Sequence, residues 1–170
     1  MKHLLIALTL ILGFSSFSSK RFMAPDYKFH SVYIYNFTKY IQWPNAGQDI
    51  QISILGNQQE AVNAFKAMAE AKSGSGKQFT VKVLTSTNEV STCDILFIPG
   101  KFSNMAADAI NKLAGQNTLI ITEKEGMIAE GSGINFILVE NKLKFELSKS
   151  NLDKAGLKVS SQLIQMAILK

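Results

Sequence analysis

The chain has 170 residues, 46% of them hydrophobic, with 18 basic and 13 acidic side chains and a formal net charge of +5. That composition suits one globular domain with an ordinary core. A single cysteine, Cys93, rules out an internal disulfide, and scattered lysines, with no run longer than Lys20-Arg21, leave no basic stripe for a nucleic acid.

The N-terminus reads as a secretory signal over residues 1–18. Lys2 and His3 give a basic start, and Leu4 to Phe14 form an apolar run of 11 residues. This is too short to span a bilayer as a helix. Ser16-Phe17-Ser18 places small residues for cleavage after Ser18, with cleavage after Ala24 as the alternative. No Cys follows the run, so a lipid anchor is not expected there. Cleavage after Ser18 would leave a chain with a net charge of +4, since Lys2 is gone, carrying one soluble domain over residues 25–170.

The first predicted element is a helix from about Tyr27 to Ile41. Phe29, Tyr33, Phe37 and Tyr40 recur at helical spacing as its core face, and Pro44 stops it. A strand follows over Asp49–Leu55, then a turn at Gly56-Asn57. The next helix, Gln58–Lys72, turns Val62, Phe65, Met68 and Ala69 inward. Ser73-Gly74-Ser75-Gly76 is a flexible connector. Strands are expected at Phe79–Leu84, Ile95–Ile98 and Thr118–Thr122, with a helix at Asn104–Leu113.

The last block, Gly131 to Leu163, is the richest. Ile134, Phe136 and Leu138 share one strand face, and Ile137 and Val139 make the other apolar, which predicts burial on both sides. Glu140-Asn141 fits a two-residue hairpin turn. Leu143, Phe145 and Leu147 then alternate with Lys142, Lys144 and Glu146, as on an edge strand. Ser150 with Asp153 approximates a capping box for a final helix carrying Leu157, Ser161, Ile164 and Ile168. Strands alternating with helices give the fold class. It is a single-domain α/β three-layer sandwich with a mostly parallel sheet, ending in an antiparallel hairpin plus helix.

Chemistry is sparse. Gly74-Ser75-Gly76-Lys77 lacks the upstream glycine and the hydroxyl residue of a phosphate loop. Gly131-Ser132-Gly133 precedes a strand, so it is a tight turn rather than a dinucleotide fingerprint. His30 is the only histidine beyond the signal segment and reads as an ordinary helix histidine, satisfied or exposed. Glu123, Glu125 and Glu130 follow a strand end and read as a solvated loop, with acid–base work as the weaker alternative. Cys93 reads as a buried structural thiol. No catalytic residue, metal ligand or cofactor is assigned, and no ligand residue can be named. Tyr35, Lys39, Gln42 and Trp43 lie off the assigned core face, and Tyr and Trp favour interfaces. These four are the candidate partner-binding residues.

Several blocks resemble the YfiR family of small periplasmic regulators. They are Tyr35-Asn36-Phe37-Thr38-Lys39-Tyr40-Ile41-Gln42-Trp43-Pro44, Ile52-Ser53-Ile54-Leu55-Gly56, Cys93-Asp94-Ile95-Leu96-Phe97-Ile98, and the Gly131–Leu163 block with its Gly-Ile-Asn-Phe element. Their order covers about Phe29 to Leu163. The resemblance implies a non-enzymatic repressor that binds the periplasmic domain of an inner-membrane diguanylate cyclase. It also implies that an outer-membrane lipoprotein can draw the repressor away. Characterised relatives carry cysteine pairs, and this chain departs from them. A homodimer stays open, as does a second function: a small-molecule sensor passing its ligand state to a histidine kinase or transport system.

Overall fold

The computed structural model describes residues 26–44, 47, 49–74 and 76–170. The expected signal segment and both cleavage alternatives lie outside these residues.

Helix α1 (Tyr27–Tyr40) starts at Asp26, whose side chain accepts the Lys28 N–H at 3.0 Å, and its end runs into the short strand β1 (Ile41–Gln42). Then come β2 (Asp49–Leu55), α2 (Gln59–Lys72), β3 (Gln78–Leu84), β4 (Ile95–Ile98), α3 (Ala106–Lys112) and β5 (Leu119–Thr122). The remainder is β6 (Ile134–Val139), β7 (Lys142–Leu147), α4 (Lys149–Lys154), β8 (Lys158–Val159), α5 (Ser161–Met166) and β9 (Ile168–Leu169). Seven strands form one sheet in the order β3-β2-β4-β5-β6-β7-β9, and β1 pairs with β8 separately. The large sheet is parallel except for the β6–β7 hairpin.

The central strands β4 and β5 are buried along their whole length. Period-two alternation divides their side chains between two cores. Ile95, Phe97, Leu119 and Ile121 join Ile34 and Phe37 of α1, Val62 and Phe65 of α2 and Leu163 of α5. Leu96, Ile98 and Ile120 face Ala106, Ala109 and Leu113 on the α3 side. The three layers and the mostly parallel sheet are therefore present as expected.

Several details differ from the sequence reading. The buried stripe of α1 is Tyr27, His30, Ser31, Ile34, Phe37 and Thr38, and Phe29 is 61% exposed. Ser31 and Thr38 can face inward because their hydroxyls donate back to the carbonyls of Lys28 and Tyr35, at 2.8 and 2.7 Å. Sequence apolarity alone points to Phe29 and passes over these self-satisfied hydroxyls. Strand β6 is buried only in its first half, and Leu138 near its end is 61% exposed. The hairpin turn is as expected, with Glu140 and Asn141 at φ 51° and 59°. Its second strand is not the sheet edge, because β9 pairs alongside it. The final helix is not continuous. Gly156, at φ 70°, ends the α4 segment, and β8 separates it from α5. Ser148, not Ser150, caps α4 by accepting the Asn151 N–H at 3.3 Å.

Candidate functional site at the carboxyl ends of the central strands

From β2 the chain moves outward to β3, then crosses back so that β4 lies on the other side of β2. The carboxyl ends of β2 and β4 thus flank a topological switch point, where open α/β sheets bind ligands. Here the chain fills that crevice itself. Gly56 follows β2 at φ 97°, and a Cβ on it would lie 2.2 Å from Cγ of Phe102. The ring of Phe102 thus rests directly on the glycine.

Beside it, Glu123 follows β5 with a side chain only 8% exposed. Its Oε2 accepts the Tyr27 hydroxyl at 3.1 Å and the Gly100 N–H at 2.9 Å. Its Oε1 lies 2.8 Å from Nε2 of His30 but off the N–H axis, and has no aligned donor among the described residues. The other ring nitrogen, Nδ1, is 3.1 Å from the Asp26 carbonyl oxygen. Both ring nitrogens thus lie beside oxygen atoms. Rings enclose the group: His30 meets Phe136 at 4.6 Å and Tyr27 at 5.1 Å between centroids, and Tyr27 also packs on Phe97. Burial first, then the Glu123 and Glu60 charges, push the Tyr27 hydroxyl well above its ordinary pKa. The cluster pins the first turn of α1 to the ends of β4 and β5. Its carboxylate oxygen Oε2 is committed to that task.

This overturns one sequence reading. Glu123 is not part of a solvated loop, whereas Glu125 and Glu130 are exposed. His30 is buried, as the satisfied alternative expected, with Nδ1 at the Asp26 carbonyl and Nε2 beside a carboxylate distant in sequence. No spacing in the sequence joins positions 30 and 123; the only signal is an acid directly after a buried strand, Leu119–Thr122.

The candidate partner residues separate. Lys39 and Gln42 are exposed and Tyr35 is half-buried. The Tyr35 ring packs on Phe79 at 5.7 Å and lies under two ammonium groups, Lys39 at 4.2 Å and Lys72 at 5.1 Å. Trp43 is 7% exposed, and its indole N–H donates to the Asp94 carbonyl at 3.1 Å. Trp43 is therefore a core anchor at the exit of α1, not a surface residue. Helical periodicity cannot place it, because it lies past the helix end.

Gly131-Ser132-Gly133 is a turn, as expected. A Cβ on Gly133 would meet Leu152 at 2.7 Å, so α4 packs there. Ser132 donates to the Ile134 carbonyl and meets Thr122, which reaches Asn135 at 2.8 Å. Of the Gly74–Lys77 stretch, residue 75 lies outside the described residues. Burial raises the Cys93 thiol above its usual pKa, as suits a structural cysteine. Among the described residues, no group of three or more His, Cys, Asp or Glu side chains is placed to hold a metal ion. No described helix is long and apolar enough to cross a membrane.

The model of the YfiR/HmsC-like family matches residues 27–168. The chain belongs to the YfiR/HmsC-like family. No curated protein matches it. Among solved structures, a conserved domain protein from Vibrio cholerae O1 biovar El Tor superposes with a TM-score of 0.60 at 11% identity, over 84% of this chain and 59% of that one. The ABC domain from Streptococcus pneumoniae, solved in complex with L-Trp, gives a TM-score of 0.60 at 14% identity, over 85% of this chain and 60% of that one. At such identities these likenesses establish the fold of this YfiR/HmsC-like chain alone. The chain spans about three fifths of each structure's length, 59% and 60%.

Proposed function

We propose that this protein is an exported regulatory binding protein that represses or tunes a membrane-bound signalling enzyme, with a diguanylate cyclase as the expected target. The observation that carries this reading is the family match over residues 27–168, nearly the whole described domain. The buried carboxylate–histidine pair of the described residues has a structural task, holding α1 in place, which supports a binding role. The partner is then the periplasmic domain of the cyclase, and its contact surface includes Tyr35, Lys39 and Gln42. An outer-membrane lipoprotein would compete for the protein.

The test is co-expression with a membrane-bound diguanylate cyclase from the same organism. The chain should co-purify with the cyclase's periplasmic domain and lower cellular cyclic-di-GMP. Unchanged cyclic-di-GMP with no co-purification would overturn the reading. A rise in melting temperature with a small molecule in the isolated chain would instead favour the sensor reading.

A further inference from the structure

Strand β3 is an edge of the large sheet, seven residues long and paired only with β2. In a parallel ladder the N–H and C=O of a residue point to the same side, and successive residues alternate. The Leu84 carbonyl accepts the Gly56 N–H at 2.8 Å, so even-numbered residues face β2. Odd-numbered residues face outward, and the chain closes both ends of that outer edge itself. The Phe79 N–H donates to Ser73 Oγ at 2.9 Å, and the Lys77 carbonyl accepts the Gly74 N–H at 3.4 Å. At the far end the Thr85 N–H donates to Glu89 Oε1 at 3.3 Å. Between them, the N–H and C=O groups of Val81 and Val83 have no partner among the described residues.

We propose that this open window takes an extended, acidic segment of a partner polypeptide as an eighth strand. Unpaired edge groups supply main-chain hydrogen bonds, and neighbouring hollows supply selectivity. A hollow of about 330 Å³ lies beside the window between α2 and β3, lined by Lys66, Ala69, Glu70, Ser73, Phe79 and Val81. It fits alternate side chains of an added strand. The charge around it is mostly positive. Lys66, Lys72, Lys77 and Lys82 are exposed and make no ion pair among the described residues, while Glu70 is the carboxylate at the hollow. A second copy of this chain does not suit the window. Antiparallel pairing of Val81 with Val83 of the copy would set Lys82 directly opposite its twin, and like charges so placed are repelled. A lipid surface is disfavoured too, since none of the large exposed apolar side chains among the described residues, Phe29, Val32, Leu138, Met166 and Leu169, belongs to α2 or β3.

The inference adds a surface to the regulatory reading, and its test needs no cyclase, so either can fail while the other holds. The purified chain, labelled with ¹⁵N, is titrated with a capped peptide of four Glu-Val repeats. Saturable shifts should centre on Val81 and Val83, whose amides should exchange at least about ten-fold more slowly. A Lys-Val peptide, or a Glu-Val peptide N-methylated at alternate amides, should give none. Lys82→Glu, at an exposed position, should keep the fold by circular dichroism and weaken binding about ten-fold. Lys82→Val should instead promote self-association in sedimentation. Shifts mapping elsewhere, equal binding of the Lys-Val peptide, or binding only to phosphatidylglycerol vesicles would each overturn the proposal.

Discussion

The two ends of α1 are fastened by opposite means. At its start, Tyr27 and His30 hold a buried carboxylate across a long gap in sequence. At its exit, Ile41 and Trp43 are held by burial and by neutral hydrogen bonds: the indole to Asp94, the β1–β8 ladder and the Ser160 N–H to the Tyr40 carbonyl. The apolar end tolerates changes of charge and salt but not of volume. The polar end tolerates modest changes of volume but not the loss of one partner, because the other is then left as an unpaired polar group in a dry place. The helix is thus sensitive to solution conditions at one end only.

The largest effects should come from removing volume. Trp43→Ala, and Phe37→Ala between the two ends, should each cost about 3–5 kcal/mol in denaturant unfolding, nearly independent of salt. The Trp43 value bears on the interface as well: with the indole buried, the variant should melt early, so a lost interaction would reflect lost fold. Glu123→Ala should cost about 3–5 kcal/mol by stranding His30 and the Gly100 N–H. The double variant His30→Leu with Glu123→Met should recover much of that loss, and full additivity instead would show that the pair does not act as a unit.

Alkali should sharpen the contrast. The folded state holds the Tyr27 hydroxyl and the Cys93 thiol above their ordinary values of 10.0 and 9.0. Both groups are protonated in the fold at pH values where the unfolded chain has begun to lose those protons. Their contribution is therefore complete below about pH 9 and is lost as pH rises beyond 9 to 10. Tyr27→Phe should flatten the alkaline fall in melting temperature, and Cys93→Ala should remove a further part. An unchanged alkaline slope in both would contradict the assigned burial. The smallest effect belongs to Lys39→Ala, which removes one ammonium from the Tyr35 ring and should cost about 0.5–1 kcal/mol or less.

Much of the fold was legible because period and punctuation agree along the chain. The apolar runs Ile95–Ile98 and Leu119–Ile121 mark buried parallel strands, and Glu140-Asn141 marks the turn. The inward face of α1 was misjudged because Ser31 and Thr38 satisfy their own hydroxyls, so polarity stopped signalling exposure. The broken C-terminal helix turned on Gly156, whose φ of 70° is a property of the folded turn. At the site, helical spacing places Lys39 at the surface, but Tyr35 only in part, because its ring packs on Phe79. The His30–Glu123 pair could not, because only the crossover topology brings positions 30 and 123 together.

The buried Cys93 has a practical consequence. It is the only thiol in the chain, and its sulfur is shielded and held in the unreactive protonated form. Alkylating reagents should bypass it in the native state. A single cysteine introduced at exposed Thr80 on β3 could then carry a spin label or fluorophore without first stripping the native residue. A distance from that probe to a labelled peptide would show strand addition directly.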